Sequence, residues 1–252
     1  MEPGGVRGWS DLHGGVEVSG PARVWLRGVQ RLAAVGPVAR IPPDALTAAG
    51  LLSTAGALAA AVAGGRWALL SVLLVVLAGV LDGLDGAVAL RSGRARPLGA
   101  VLDATADRVG DLLLAAVLAV LGAPPPWCAA AAALVLLHEY VRARAQAAGM
   151  PGAGAVTVAE RPTRIILVAV AALGAGALPA GTPLTGWDWA TVCAVAWVVV
   201  GAVGLVHLAV GVVRHVPAAF PGQAGPTSPD TISADSATSG NPPPGCAEPP
   251  TR

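Results

Sequence analysis

The sequence predicts an all-α integral membrane protein: a bundle of six transmembrane helices, both termini in the cytoplasm, with an amphipathic juxtamembrane helix before the first span. Three observations predict it. Of 252 residues, 54% are hydrophobic and only 12% are charged, about half the charged share of a soluble domain. Six apolar stretches punctuate residues 45 to 213. The arginines, which are the only strong bases because the chain has no lysine, gather on alternate loops, as positive residues retained in the cytoplasm do. A mean hydropathy of +0.66 excludes an ordinary soluble globule, and disorder over most of the length. A net charge of +1 argues against a nucleic-acid partner. Cys128, Cys193 and Cys246 lie far apart and support neither a zinc site nor a disulfide framework.

Residues 1–43 form a cytoplasmic arm. Its first twenty are polar and glycine-rich and do not make a cleavable signal peptide. Over Pro21 to Val35, Arg23, Arg27 and Arg31 recur every fourth residue, with Val24, Trp25, Leu32 and Ala33 off that stripe. That pattern predicts a short helix lying on the inner surface.

Residues 44–216 hold the spans. A bilayer core of about 30 Å takes roughly 20 helical residues. Ala45–Gly65 carries no charge, and Trp67–Leu81 runs into Asp82 and Asp85. Ala104–Gly122 is apolar beyond Asp107, Arg108 and Asp111, and ends before Pro124–Pro126, which cannot continue a helix. Trp127–Tyr140, Ile165–Leu178 and Trp189–Val213 complete the set. Trp67, Trp127, Trp187 and Trp189 fall at the outer ends, where an aromatic belt belongs, and the outer loops hold only Arg66. Residues 217–252, rich in proline, serine and glycine, are expected to be a disordered tail.

Carboxylates in a span are costly and are functional candidates by default. Here Asp82 and Asp85 are three apart at the end of the second span, and Asp103 and Asp107 four apart at the start of the third. Each pair therefore lies on one helix face. Gly93, Pro97 and Gly99 in the connection allow the two helices to pair antiparallel, which brings all four carboxylates to the cytoplasmic membrane edge. Such a cluster calls for a hard divalent cation, Mg²⁺ or Mn²⁺, and a phosphate-bearing ligand. Gly86, Ala89 and Gly99 leave room for a ligand against the backbones. A cation transporter is the competing class, but it predicts charges near the midplane and an inverted repeat, neither of which is evident.

The spacing Asp82-x2-Asp85-Gly86-x2-Ala89 … Gly99-x3-Asp103-x3-Asp107 resembles the signature of the CDP-alcohol phosphatidyltransferases. The resemblance implies transfer of a phosphatidyl group from CDP-diacylglycerol to a small alcohol, with release of CMP. By position, Asp82, Asp85, Asp103 and Asp107 would hold metal, two ions of Mg²⁺ or Mn²⁺. Asp107 would also be the general base, and Gly86, Ala89 and Gly99 would admit the nucleotide. The family's arginine after the alanine is Leu90 here, so Arg94 or Arg96 would have to supply its charge. Asp107-Arg108 followed by Asp111 is closer to the inositol-phosphate branch than to the glycerol-phosphate branch. Arg94, Arg96, Arg108, Arg161 and Arg164 are the candidates for holding an anionic acceptor, while positive-inside topology is the weightier explanation of Arg161 and Arg164, which follow Glu160 on one loop. Acceptor use like that of phosphatidylglycerophosphate synthases, or a member that has lost catalysis and serves as a membrane partner, stays open on the sequence. The expected setting is the plasma membrane, the site facing the cytoplasm, in a homodimer packed through alanine- and glycine-rich faces.

Overall fold

The computed structural model describes residues 20–150, 161–183 and 186–216, and every regular element among them is a helix. In chain order they are α1 (Gly20–Ala33), α2 (Gly36–Arg40), α3 (Pro43–Ala63), α4 (Trp67–Arg91), α5 (Pro97–Val120), α6 (Pro125–Ala147), α7 (Arg161–Ala177) and α8 (Trp189–His215). The tail from residue 217, residues 1–19 and Glu160 lie outside the described residues.

Proline sets where the helices begin. Pro43, Pro97 and Pro125 each stand in the first turn of α3, α5 and α6. There the missing N–H costs nothing and the fixed φ is already helical. Gly64 and Gly122, at φ +70° and +111°, end α3 and α5 in backbone that a side chain would strain. The helices overrun the apolar stretches at their arginine-bearing ends. The second span was expected to end at Leu81, yet α4 continues through both aspartates to Arg91.

Three of these helices, α3, α4 and α8, are long and apolar enough to cross a membrane. The packing matches that solvent. Large apolar side chains point outward, with Val213, Leu52 and Leu73 at 84%, 71% and 68% exposure. Inside lie Ala57, Ala131, Ala171, Ala194 and Cys193 around Trp197. Lipid gives no hydrophobic reward for burying leucine, so close-packed small residues and buried hydrogen bonds hold the helices instead. Ser71 Oγ donates to the Ala57 carbonyl at 2.8 Å and Ser53 Oγ to the Leu74 carbonyl at 3.0 Å, tying α3 to α4.

The two helices that carry the four aspartates do not pair along their lengths. Instead α3 packs against both α4 and α5, and α7 likewise touches both. The expected antiparallel pair is replaced by a four-helix setting in which the aspartates face one another across a gap. At Gly50 α3 lies against α4 just where Asp82 emerges: a Cβ there would sit 3.6 Å from the Ala78 carbonyl and from Leu81 Cβ, ordinary contact distance.

Candidate active site

The gap between α3, α4, α5 and α7 is a small open pocket lined by Thr47, Gly50, Leu51, Asp82, Asp85, Ala106, Asp107 and Arg161. Asp82, Asp103 and Asp107 converge here, one carboxylate oxygen from each lying within 4.8 Å of the others. Asp85 is buried on the pocket wall. Its Oδ2 accepts a 2.6 Å hydrogen bond from Thr47 Oγ1, and its Oδ1 one of 2.6 Å from the Gly86 N–H. The first span therefore orients an aspartate of the second.

Arg161, at the first residue of α7, closes the other side. Its guanidinium contacts Asp107 and lies 3.2 Å from Asp82 Oδ1. Two glycines make this reach possible. A Cβ on Gly79 of α4 would meet Ile165 Cδ1 at 2.6 Å, and one on Gly110 of α5 would meet Arg161 Nη2 at 3.1 Å. Helix α7 can thus press into the groove between α4 and α5. Arg161 Nε is buried without a hydrogen-bond partner, which leaves the guanidinium with unused donor capacity.

Behind this layer lies a second, with different electrostatics. Arg164 pairs with Asp111, both almost fully buried. Arg108 lies 3.3 Å from Asp111, 3.6 Å from Asp107 and 3.2 Å from Glu139 of α6. Arg142 sits 3.8 Å from Glu139. Here three arginines meet two carboxylates, so the layer needs no further cation. In the outer layer four aspartates meet Arg161, with Arg108 reaching only Asp107 from the inner layer at 3.6 Å, and that excess of like charge calls for a further cation.

The donor set fits a hard divalent ion. Oxygens on opposite sides of a six-coordinate Mg²⁺ stand about 4.2 Å apart, so the Asp82–Asp103–Asp107 set needs little adjustment, and Asp85 is one helical turn from Asp82.

The other expected site residues scatter. Gly86 is exposed, with open space where its Cβ would be, and Ala89 follows it on α4. Gly99 does something else: a Cβ there would lie 3.3 Å from Arg96 Cγ and 3.7 Å from Asp44 Oδ1, beneath the Arg96–Asp44 ion pair. Arg96 is thereby engaged with Asp44, while Arg94 is exposed and meets no carboxylate among the described residues. Arg164 and Arg108 belong to the inner layer and Arg161 to the outer. Sequence reasoning passed over the role of Thr47, Asp44, Gly110 and Glu139. Thr47 lies in an apolar stretch and Glu139 at a helix end, and neither position shows in sequence which side chain it meets.

Comparison with known proteins then decides the family. The model of the CDP-alcohol phosphatidyltransferase family matches residues 40–206, more than half of the chain. The chain belongs to this family. It is a membrane enzyme of phospholipid biosynthesis, and the aspartate signature falls within the matched region. A similar protein is the archaetidylinositol phosphate synthase of Aeropyrum pernix, 34% identical over 137 residues, 52% of this chain and 69% of that one. The phosphatidylinositol phosphate synthase of Mycolicibacterium smegmatis is 38% identical over 143 residues, 53% of this chain and 62% of that one. Among solved structures, the Mycobacterium tuberculosis phosphatidylinositol phosphate synthase in complex with manganese and citrate superposes with a TM-score of 0.55. It is 27% identical, over 75% of this chain and 88% of that one. The same protein with CDP-DAG bound gives 0.52 at 26% identity, over 80% and 96%.

Proposed function

We propose that this enzyme transfers a phosphatidyl group from CDP-diacylglycerol to an inositol phosphate, releasing CMP. The observation that carries the reading is the Asp82–Asp103–Asp107 cluster facing Arg161, in a chain whose relatives named above act as inositol phosphate lipid synthases.

Asp82, Asp103 and Asp107, with Asp85, are the residues that would hold Mg²⁺ or Mn²⁺, as a pair of ions. Bound there, divalent metal supplies positive charge against the pyrophosphate and the departing CMP phosphate. Thr47 keeps the Asp85 carboxylate turned to the pocket. The open backbone at Gly86 and the small Ala89 leave space for the nucleotide. Arg161 neutralises Asp82 and Asp107 in the free chain. An acceptor phosphate offers its guanidinium a stronger, two-point partner, which draws it off Asp107 as the acceptor docks. Asp107 then takes the proton of the acceptor hydroxyl, an alcohol being a weak nucleophile near neutral pH. The oxygen bonds to the phosphatidyl phosphorus, the phosphorus–oxygen bond to CMP breaks, and CMP leaves with that electron pair. Arg164, locked to Asp111, positions the wall rather than binding the acceptor.

The same reading assigns six spans, α3 to α8, with the arginine-rich ends and the site at the cytoplasmic face of the plasma membrane. Its support is the match of α5, α6 and α7 to the remaining apolar stretches and their packing into one bundle with α3, α4 and α8. The test is to supply radiolabelled inositol phosphate to the purified enzyme. Label should enter lipid only when CDP-diacylglycerol and a divalent cation are both present. Label entering from glycerol phosphate instead would reassign the acceptor.

A further inference from the structure

Helix α1 lies on the back of the segment that carries Asp82 and Asp85. Its Val29 and Ala33 are buried against Leu84 and Val88 of α4 and Leu46 of α3. The seat is close: a Cβ on Gly83 would come within 3.2–3.3 Å of the Val29 methyl groups and 3.8 Å of Trp25 Nε1. At 100° per residue, Trp25, Leu32, Val29 and Ala33 fall within one arc of about 100°. Only part of that arc is covered. Trp25 and Leu32 stay 45% and 40% exposed on its rim, an apolar edge and an aromatic ring suited to the depth of lipid headgroups. Arg27 and Arg31 are exposed on the opposite side and meet no carboxylate among the described residues. From Gly20 to Arg40 the sequence has four arginines and no acidic residue. Arg91 and Arg94 are likewise exposed, at and just after the end of α4. A face with this charge fits an anionic partner, and its apolar rim makes that partner a lipid surface.

We infer that α1 is a clamp engaged by anionic lipid: headgroups held by Arg27 and Arg31 press Val29 and Ala33 onto the back of the Asp82–Asp85 turn and raise the rate of transfer. The inference rests on the membrane and transferase reading above, and adds a regulator to it. Attraction of this kind weakens with salt. Two arginines on an anionic leaflet change occupancy of the seated state by about thirtyfold.

The test places single copies of the enzyme in nanodiscs of phosphatidylcholine alone or with phosphatidylglycerol, at a constant fraction of CDP-diacylglycerol. Hydrogen exchange over residues 25–33 reports the clamp, and CMP release reports the site. Anionic lipid is expected to slow exchange in α1 by about tenfold or more and to raise turnover severalfold. R27Q/R31Q should lose both responses while keeping its basal rate in phosphatidylcholine. Exchange in α1 that ignores lipid charge in the wild type overturns the clamp, even in a preparation with no transfer activity. So does an unchanged response in R27Q/R31Q. Slowed exchange with turnover indifferent to lipid overturns the coupling to the site. Protection that instead follows the number of copies per disc assigns this face to a second copy of the chain and overturns the lipid partner.

Discussion

Arg161 Nη1 stands 3.2 Å from Asp82 Oδ1 and also contacts Asp107, so one guanidinium bridges carboxylates from two helices that do not pack on each other. Helix α7 supplies this bridge by inserting between them. The arrangement separates two jobs that the aspartate cluster alone would blur. Arg161 neutralises charge in the free chain, and under the proposed function proton transfer during the reaction would fall to Asp107.

Asp107→Asn keeps the size and loses the basicity of the side chain. General-base help is worth about 10²- to 10⁴-fold, so CMP release should fall in that range. Nucleotide binding, measured by calorimetry with a CDP-diacylglycerol analogue, should survive through Asp82, Asp85 and Asp103. Near-normal turnover would remove Asp107 from the base role.

Thr47→Val removes the 2.6 Å hydrogen bond to Asp85 without changing the shape of α3. A hydrogen bond to a charged group contributes about 1.5–3 kcal/mol. Mn²⁺ affinity, read by electron paramagnetic resonance, should weaken roughly tenfold or more, and Thr47→Ser should restore most of it. Equal affinities in all three proteins would separate Asp85 from the metal set.

Gly110→Ala pushes a methyl to 3.1 Å from Arg161 Nη2, so the guanidinium must move by a few tenths of an ångström. Misplacement by about 1 Å can cost 10²-fold, so a smaller shift should raise KM for inositol phosphate severalfold. The affinity for CDP-diacylglycerol should hold, since Gly110 is not among the residues lining the pocket. A matched loss for both substrates would mean that α5 itself had shifted.

Asp111→Asn leaves Arg164, 4% exposed, without its charge partner. Breaking a buried pair on one side costs about 3–5 kcal/mol, so the thermal midpoint in detergent should drop clearly. Replacing both, as Asp111→Asn with Arg164→Met, should recover part of the loss. A double variant as unstable as the single one would show that the pair does more than balance charge.

How far the sequence reaches can be seen in particular residues. The apolar stretches and the proline stops located the helices, because hydropathy and helix-breaking chemistry are local. Asp82, Asp85, Asp103 and Asp107 pointed to the candidate site, because four carboxylates beside apolar stretches have no cheap structural explanation, and three of them do converge. What stayed hidden depended on which helices meet. Nothing in the spacing of α4 and α5 reveals that α3 and α7 stand between them; Gly79 and Gly110 give α7 its room, and a glycine in an apolar span does not say which neighbour it admits. Arg161 and Arg164 looked equivalent on one inner loop, yet a turn of helix puts one at the pocket and the other in a buried pair. Gly99 matched the nucleotide pattern, while its nearest side chains are Arg96 and Asp44.

The most direct measurement is CMP release from CDP-diacylglycerol by the purified enzyme with Mg²⁺ or Mn²⁺, each acceptor supplied singly: inositol phosphate, glycerol phosphate, serine and free inositol. Release that requires inositol phosphate, stops with chelator and is nearly abolished in Asp107→Asn is the predicted result. No release with inositol phosphate, from protein that still binds the nucleotide lipid, would contradict it.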